Sequence, residues 1–122
     1  MEFFIRKGAT KPILKMKLID DGKNDKSSYN EELLNAVITF EMFDVTNDMY
    51  KTLSGPCQLT YRIKKYNSVT DEYYIIYQFT ESDTDEIGKY EAVINIQFRD
   101  TDLVNTSKLI LPIQEKLFIN VV

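Results

Sequence analysis

Four carboxylates crowd the segment Glu81-Ser82-Asp83-Thr84-Asp85-Glu86. Oxygen ligands packed in this way suit a hard cation such as calcium. A calcium loop of the helix–loop–helix type closes with a bidentate glutamate at its twelfth position. Counted from Asp83, that position is Ile94, so the spacing is wrong and the segment reads as a solvated corner. Asp20, Asp21 and Asp25 carry a still weaker metal signal. Glycoside hydrolysis needs only a pair of carboxylates, and the chain has 19 acids, but none sits in an apolar setting of the kind that raises a pKa. Histidine is absent, which removes the commonest general base and the commonest zinc ligand. Cys57 is the single cysteine. It can form no internal disulfide and no Cys–His pair, and with Pro56 before it and no basic partner nearby it reads as a small buried filler. Neither a metal nor a cofactor is expected, and no enzyme.

Tyrosines are the other residues with recognition chemistry. Tyr66, Tyr73, Tyr74 and Tyr77 could form an aromatic surface for sugars, giving a carbohydrate-binding or adhesion module as the alternative function. Their alternation equally suits core positions and cross-strand pairs.

These side chains are positioned by strands. Tyr90, Ala92, Ile94, Ile96 and Phe98 recur at period two, with Glu91, Asn95 and Gln97 between them and Val93 as the exception. That is the pattern of a strand with one buried face. The acidic segment ahead of it, then Gly88, then Tyr90 at the strand start, is the layout of a tyrosine corner, in which the phenol packs inside and its hydroxyl bonds back to the corner backbone. Phe3 to Lys7 is a short strand broken by Gly8 and Pro12, and Ile13 to Leu18 resumes it with Leu14, Met16 and Leu18 inward and Lys15 and Lys17 outward. A first strand broken in this way can switch from one sheet to the other. Asp20 to Asn30 reads as a loop and Glu31 to Leu34 as one helical turn. Asn35 to Phe43 is a strand with Ala36, Ile38, Phe40 and Met42 inward. Asp44 to Asp48 is a turn, Met49 to Leu53 a weak strand, and Ser54-Gly55-Pro56 another turn. Gln58 to Tyr66 alternates, with Leu59, Tyr61 and Ile63 inward. Asn67 to Glu72 is a hairpin turn, Tyr73 to Phe79 an aromatic strand, and Arg99 to Ser107 a polar loop. Lys108 to Leu111 is a strand stopped by Pro112, and Leu117 to Val122 is the last. The whole predicts one all-β domain over residues 1–122, an immunoglobulin-like antiparallel β-sandwich of 7–9 strands.

A chain of 122 residues suffices for one core without disulfides or metal. The formal net charge of −4 argues against general nucleic-acid binding. It is unevenly spread. Residues 1–17 hold five cationic side chains against Glu2 alone, a net +4, so the remainder carries −8. No apolar run approaches the roughly 20 residues of a membrane span, and Met1-Glu2-Phe3 lacks the start of a signal peptide.

Four motifs fall in a telling order: Lys7-Gly8-Ala9-Thr10 followed by Pro12-Ile13-Leu14; Leu33-x-x-Ala36 leading into Val37-Ile38-Thr39-Phe40-Glu41-Met42; Asp83-Thr84 followed by Gly88-Lys89-Tyr90; and Leu111-Pro112 before the final strand. In order and spacing they resemble the N-terminal immunoglobulin-like domain of bacteriophage baseplate upper proteins and related phage virion structural proteins, over nearly the whole chain. The resemblance implies a non-catalytic virion component, made in the bacterial host cytoplasm, that docks other virion proteins of the capsid or the tail and baseplate. In that family the domain usually begins a longer chain. Here the sequence ends at the last strand, which shifts the expectation toward an auxiliary or decoration protein of the capsid, with a baseplate or tail adaptor next, and toward a monomer before assembly. Docking is expected at the N-terminal edge. Phe3 and Phe4 supply apolar contact and Arg6, Lys7 and Lys11 supply charge for an acidic partner. Phe3 and Ile5 are equally suited to the domain's own core.

Overall fold

The computed structural model describes residues 1–18, 35–62, 72–98 and 108–122. They form nine strands: β1 (Glu2–Ile5), β2 (Leu14–Leu18), β3 (Val37–Asp44), β4 (Met49–Pro56), β5 (Gln58–Arg62), β6 (Glu72–Tyr77), β7 (Gly88–Gln97), β8 (Lys108–Leu111) and β9 (Leu117–Val121). No helix occurs among the described residues. The loop expected at Asp20 to Asn30, the helical turn at Glu31 to Leu34, the polar loop at Arg99 to Ser107, Ile63, Tyr66 and the turn after Asn67 lie outside them.

Period-two patterning places the strands. On β7, Tyr90, Ala92, Ile94 and Ile96 are buried, with Phe98 just beyond the strand. Ile38, Phe40 and Met42 of β3 are buried on the same side of the sheet, because β3 and β7 pair antiparallel with Ile38 opposite Ile96, Phe40 opposite Ile94 and Met42 opposite Ala92. A fully buried isoleucine or phenylalanine contributes about 1.5–3 kcal/mol relative to an exposed one, so this central pair dominates the fold. The six-stranded sheet runs β1-β9-β7-β3-β4, with β8 continuing the β9 side of β7. The second sheet is β2-β6-β5. Its inner face supplies Leu14, Ile75 and Tyr77, with Met16, Leu59 and Tyr73 packed at the margin. The two inner faces share one core, a β-sandwich arrangement.

The first strand does change sheets. β1 lies beside β9 in the larger sheet, and β2 pairs antiparallel with β6 in the smaller, with the chain bending through Gly8 at φ 77° between them. Three features depart from expectation. The sandwich is not wholly antiparallel, because β1 and β9 run parallel, Glu2 opposite Phe118 through Ile5 opposite Val121. Alternation marks a half-buried strand but carries no information about direction. Ser54-Gly55-Pro56 is not a turn but the end of β4. Between the Thr39–Pro56 and Asp44–Met49 pairs, β4 spends two more residues than β3, one bulge on each side of Thr52, and Ser54 takes φ 54° within the first. Pro56 is tolerated because β4 is the last strand of its sheet. Finally, Asn95, expected on the wet face, is 8% exposed; its neighbours across the sheet are Thr39 of β3 and Ile110 of β8.

Candidate protein-docking site

The corner after β6 is built around a buried acid. Asp83 is 4% exposed and Thr84 is fully buried, so the middle of the acidic segment is not the solvated surface its composition suggests. The Asp83 carboxylate accepts hydrogen bonds from the Tyr77 hydroxyl at 2.6 Å, the Thr52 hydroxyl at 2.5 Å and the Thr80 amide at 2.8 Å. It therefore joins β6, the edge strand β4 and the corner itself. Thr84 faces the other way. Its hydroxyl donates to the Ala9 carbonyl at 2.9 Å, and its own carbonyl accepts from the Gly8 amide at 2.9 Å. The corner is thereby tied to the bend between β1 and β2. Tyr90 is 2% exposed, and its hydroxyl donates to the Glu86 carbonyl, four residues back, at 3.0 Å. Gly88 lies under the Tyr90 ring, where an added Cβ would sit at ordinary contact distance, 3.5 Å. Two segments far apart in sequence, 7–10 and 83–90, thus meet in one clasp.

The carboxylates of the corner go to separate partners. Asp83 turns inward, Asp85 pairs with Lys51, and Glu86 is exposed. The Asp85 carboxylate beside Lys51 holds that ammonium above its usual pKa. No group of three or more potential ligands converges on a metal-sized point among the described residues. The tyrosines divide as well. Tyr77 is core, stacked on Phe40 with ring centres 4.1 Å apart, and Tyr73 packs at the core margin. Tyr74 lies on the opposite face of β6, under the Lys15 ammonium at 4.2 Å from its ring centre. Among the described residues these three tyrosines do not share one face; Tyr66 lies outside them.

Cys57 is half-buried, and burial pushes its thiol up to about 12. That environment disfavours the thiolate, as expected of a packing residue. Burial and the neighbouring Asp83 raise the Tyr77 phenol as well. Both groups are neutral when protonated, and the folded state holds their protons more tightly than the unfolded chain does. Their contribution is complete below the ordinary thiol value of 9.0 and is lost as pH climbs toward the folded values. Urea midpoints are therefore expected to be flat near pH 8 and to fall above about pH 9, and Cys57→Ala should flatten the first part of that fall. A midpoint that stays constant to pH 11 would contradict this account. The folded protein should also resist iodoacetamide at pH 8 until urea is added.

No family model, curated protein or solved structure matches the chain. The docking residues expected from sequence are placed by β1, which ends the larger sheet. Ile5 is buried, and Phe3 is half-buried, stacked on Phe79 with ring centres 5.5 Å apart. Both belong to the core or its margin. Phe4 points to the outer face and is 61% exposed. Arg6, Lys7 and Lys11 are exposed around the bend, with no ion-pair partner among the described residues. Glu2, the one acid of this end, is already engaged. Asn120 and Lys89 donate to its carboxylate at 2.5 and 2.9 Å, and these bonds hold its pKa below the usual carboxylate value. The local charge left over is positive.

Sequence reasoning missed the groove between β1 and β2. It has a volume of about 430 Å³ and is bordered by Glu2, Phe3, Leu14, Met16, Lys17 and Leu117, among others. Only the pairing of the two strands with different sheets could reveal it. Missed too were Thr52 and Gly55, whose roles depend on contacts with β6 and with the corner that follows it.

Proposed function

We propose that this chain is a non-enzymatic structural protein of a bacteriophage particle, a small immunoglobulin-like module that decorates the capsid or bridges other virion proteins. A baseplate or tail adaptor is the next placement. The observation that carries the reading is the clasp. Lys7-Gly8-Ala9-Thr10 and Asp83-Thr84 with Gly88-Lys89-Tyr90 are the motifs behind the family resemblance, and they are in hydrogen-bonded contact. They act as fold determinants, which is the role such motifs have in an immunoglobulin-like domain.

Strand order supports the same assignment. With β2 to β7 and β9 taken as strands B, C, C′, D, E, F and G, the larger sheet contains G-F-C-C′ and the smaller B-E-D, with the tyrosine at the start of F after the E–F corner. Function then falls to surfaces, and the open β1 edge and the exposed aromatics of the larger sheet are suited to protein contacts. The test is quantitative mass spectrometry of gradient-purified particles, with heads and tails separated. A fixed copy number in the head fraction is the expected result. A fixed copy number in the tail fraction would select the adaptor placement, and absence from intact particles would overturn the proposal.

A further inference from the structure

We infer that the groove between β1 and β2 accepts one extended, acid-flanked strand of a partner protein, which adds to the larger sheet at β1. This names the partner chemistry for the docking role proposed above and rests on that role.

The larger sheet ends at β1 on one side and at β4 on the other. At β4 the edge is blunted by two bulges and by Ser54 at φ 54°. Such irregularities prevent further strand pairing. At β1 the register with β9 is unbroken from Glu2 to Ile5. The bonds from the Phe118 amide to the Met1 carbonyl, from the Val122 amide to the Ile5 carbonyl and from the Lys7 amide to the Val122 carbonyl turn residues 1, 5 and 7 toward β9. By the alternation of a strand ladder, the main-chain groups of Glu2 and Phe4 face the open side. No described strand pairs there. A regular edge with free donors and acceptors is the template for strand addition.

What lies beside the edge selects the sequence of the added strand. Side chains of an added strand alternate between the two faces. Those pointing inward would enter the groove against Phe3, Leu14, Met16 and Leu117, and must be apolar. Those pointing outward would lie beside Phe4. The bend carrying Arg6, Lys7 and Lys11 joins the two walls of the groove, and Lys15 borders the β2 wall. Glu2 is neutralised by Lys89. Acidic residues flanking the apolar positions therefore complement the site, and basic ones are repelled.

The probe is a capped synthetic peptide in which valine alternates with threonine and two aspartates flank each end, titrated into the 15N-labelled protein. Expected are amide shifts concentrated in β1 and β2, and binding at least ~10-fold weaker when lysines replace the aspartates. Phe4→Pro removes an outward-facing amide and leaves the β9 ladder intact, so it should abolish binding with the fold retained. If that variant does not fold, two further peptides, one N-methylated at every valine and one at every threonine, block one or the other hydrogen-bonding edge of the ligand; one of the two loses its donors to the Glu2 and Phe4 carbonyls and should not bind. The inference is overturned by no shifts at saturating peptide, by shifts centred away from β1 and β2, by equal binding of the lysine peptide, or by binding that survives both N-methylations. The titration needs no particle. A protein present on particles whose groove ignores the peptide would keep the proposed function and lose this inference.

Discussion

Asp83→Ala should cost about 3–5 kcal/mol of folding stability, a large share of the total for a domain of this size. The carboxylate is 4% exposed and takes three hydrogen bonds. Removing it strands the Tyr77 hydroxyl, the Thr80 amide and the Thr52 hydroxyl, and each buried group left without a partner costs about 1–3 kcal/mol. Thr52 is half-buried and Thr80 exposed, so both can recover water, and the buried Tyr77 hydroxyl carries the largest share. Asp83→Asn keeps the shape and one good acceptor but presents an amide donor where a donor already points. Its expected loss is intermediate, about 2 kcal/mol. Urea unfolding at pH 7 measures both. Tyr77→Phe in the Asp83→Ala background should add little beyond the lost donor, since the two groups share one bond. A loss below about 1 kcal/mol for Asp83→Ala would mean the network is a consequence of the fold and not a support of it.

Gly55→Ala should be nearly as damaging, at about 3 kcal/mol, for a reason of space alone. A Cβ on Gly55 would stand 2.6 Å from Cε1 of Tyr77, 2.9 Å from its hydroxyl oxygen and 3.1 Å from Cζ. The ring has nowhere to go. It is stacked on Phe40, meets Phe79 edge-on with centres 5.2 Å apart, and is held at its tip by Asp83. Either β4 moves away from β6 or the Tyr77–Asp83 bond breaks. The double variant Gly55→Ala with Tyr77→Leu separates this from any other effect. With the ring gone, the alanine should cost less than about 1 kcal/mol, and an undiminished cost would place the strain elsewhere.

Both variants act on a polar network that period-two patterning does not reveal. Asp83 and Thr84 stand in a stretch whose composition is that of a surface loop, and an acid among acids carries no mark of burial. Its burial is possible because Tyr77, Thr52 and the Thr80 amide arrive together from β6, β4 and the corner. Gly55 likewise reads as a turn residue beside Ser54 and Pro56. It is a contact residue because a ring from the facing sheet rests on it. Alternation already paired Phe3 with Ile5 as candidates for either the core or a docking edge; that they belong to the core and its margin, with Phe4 left on the outer face, followed from the place of β1 beside β9.

By itself the sequence determined the all-β class, the inward residues of β3 and β7, the break at Gly8 and Pro12 that permits a sheet change, and the positive N-terminal end. Each of these is local. Alternation, turn chemistry and charge are properties of neighbouring residues, and they act on the chain before it folds. The parallel course of β1 beside β9, the bulged far edge, the buried Asp83 network and the groove between β1 and β2 were decided by tertiary structure. They depend on which segments become neighbours in space, and the energies that choose those neighbours come from packing and hydrogen bonds between residues as far apart as Ala9 and Thr84.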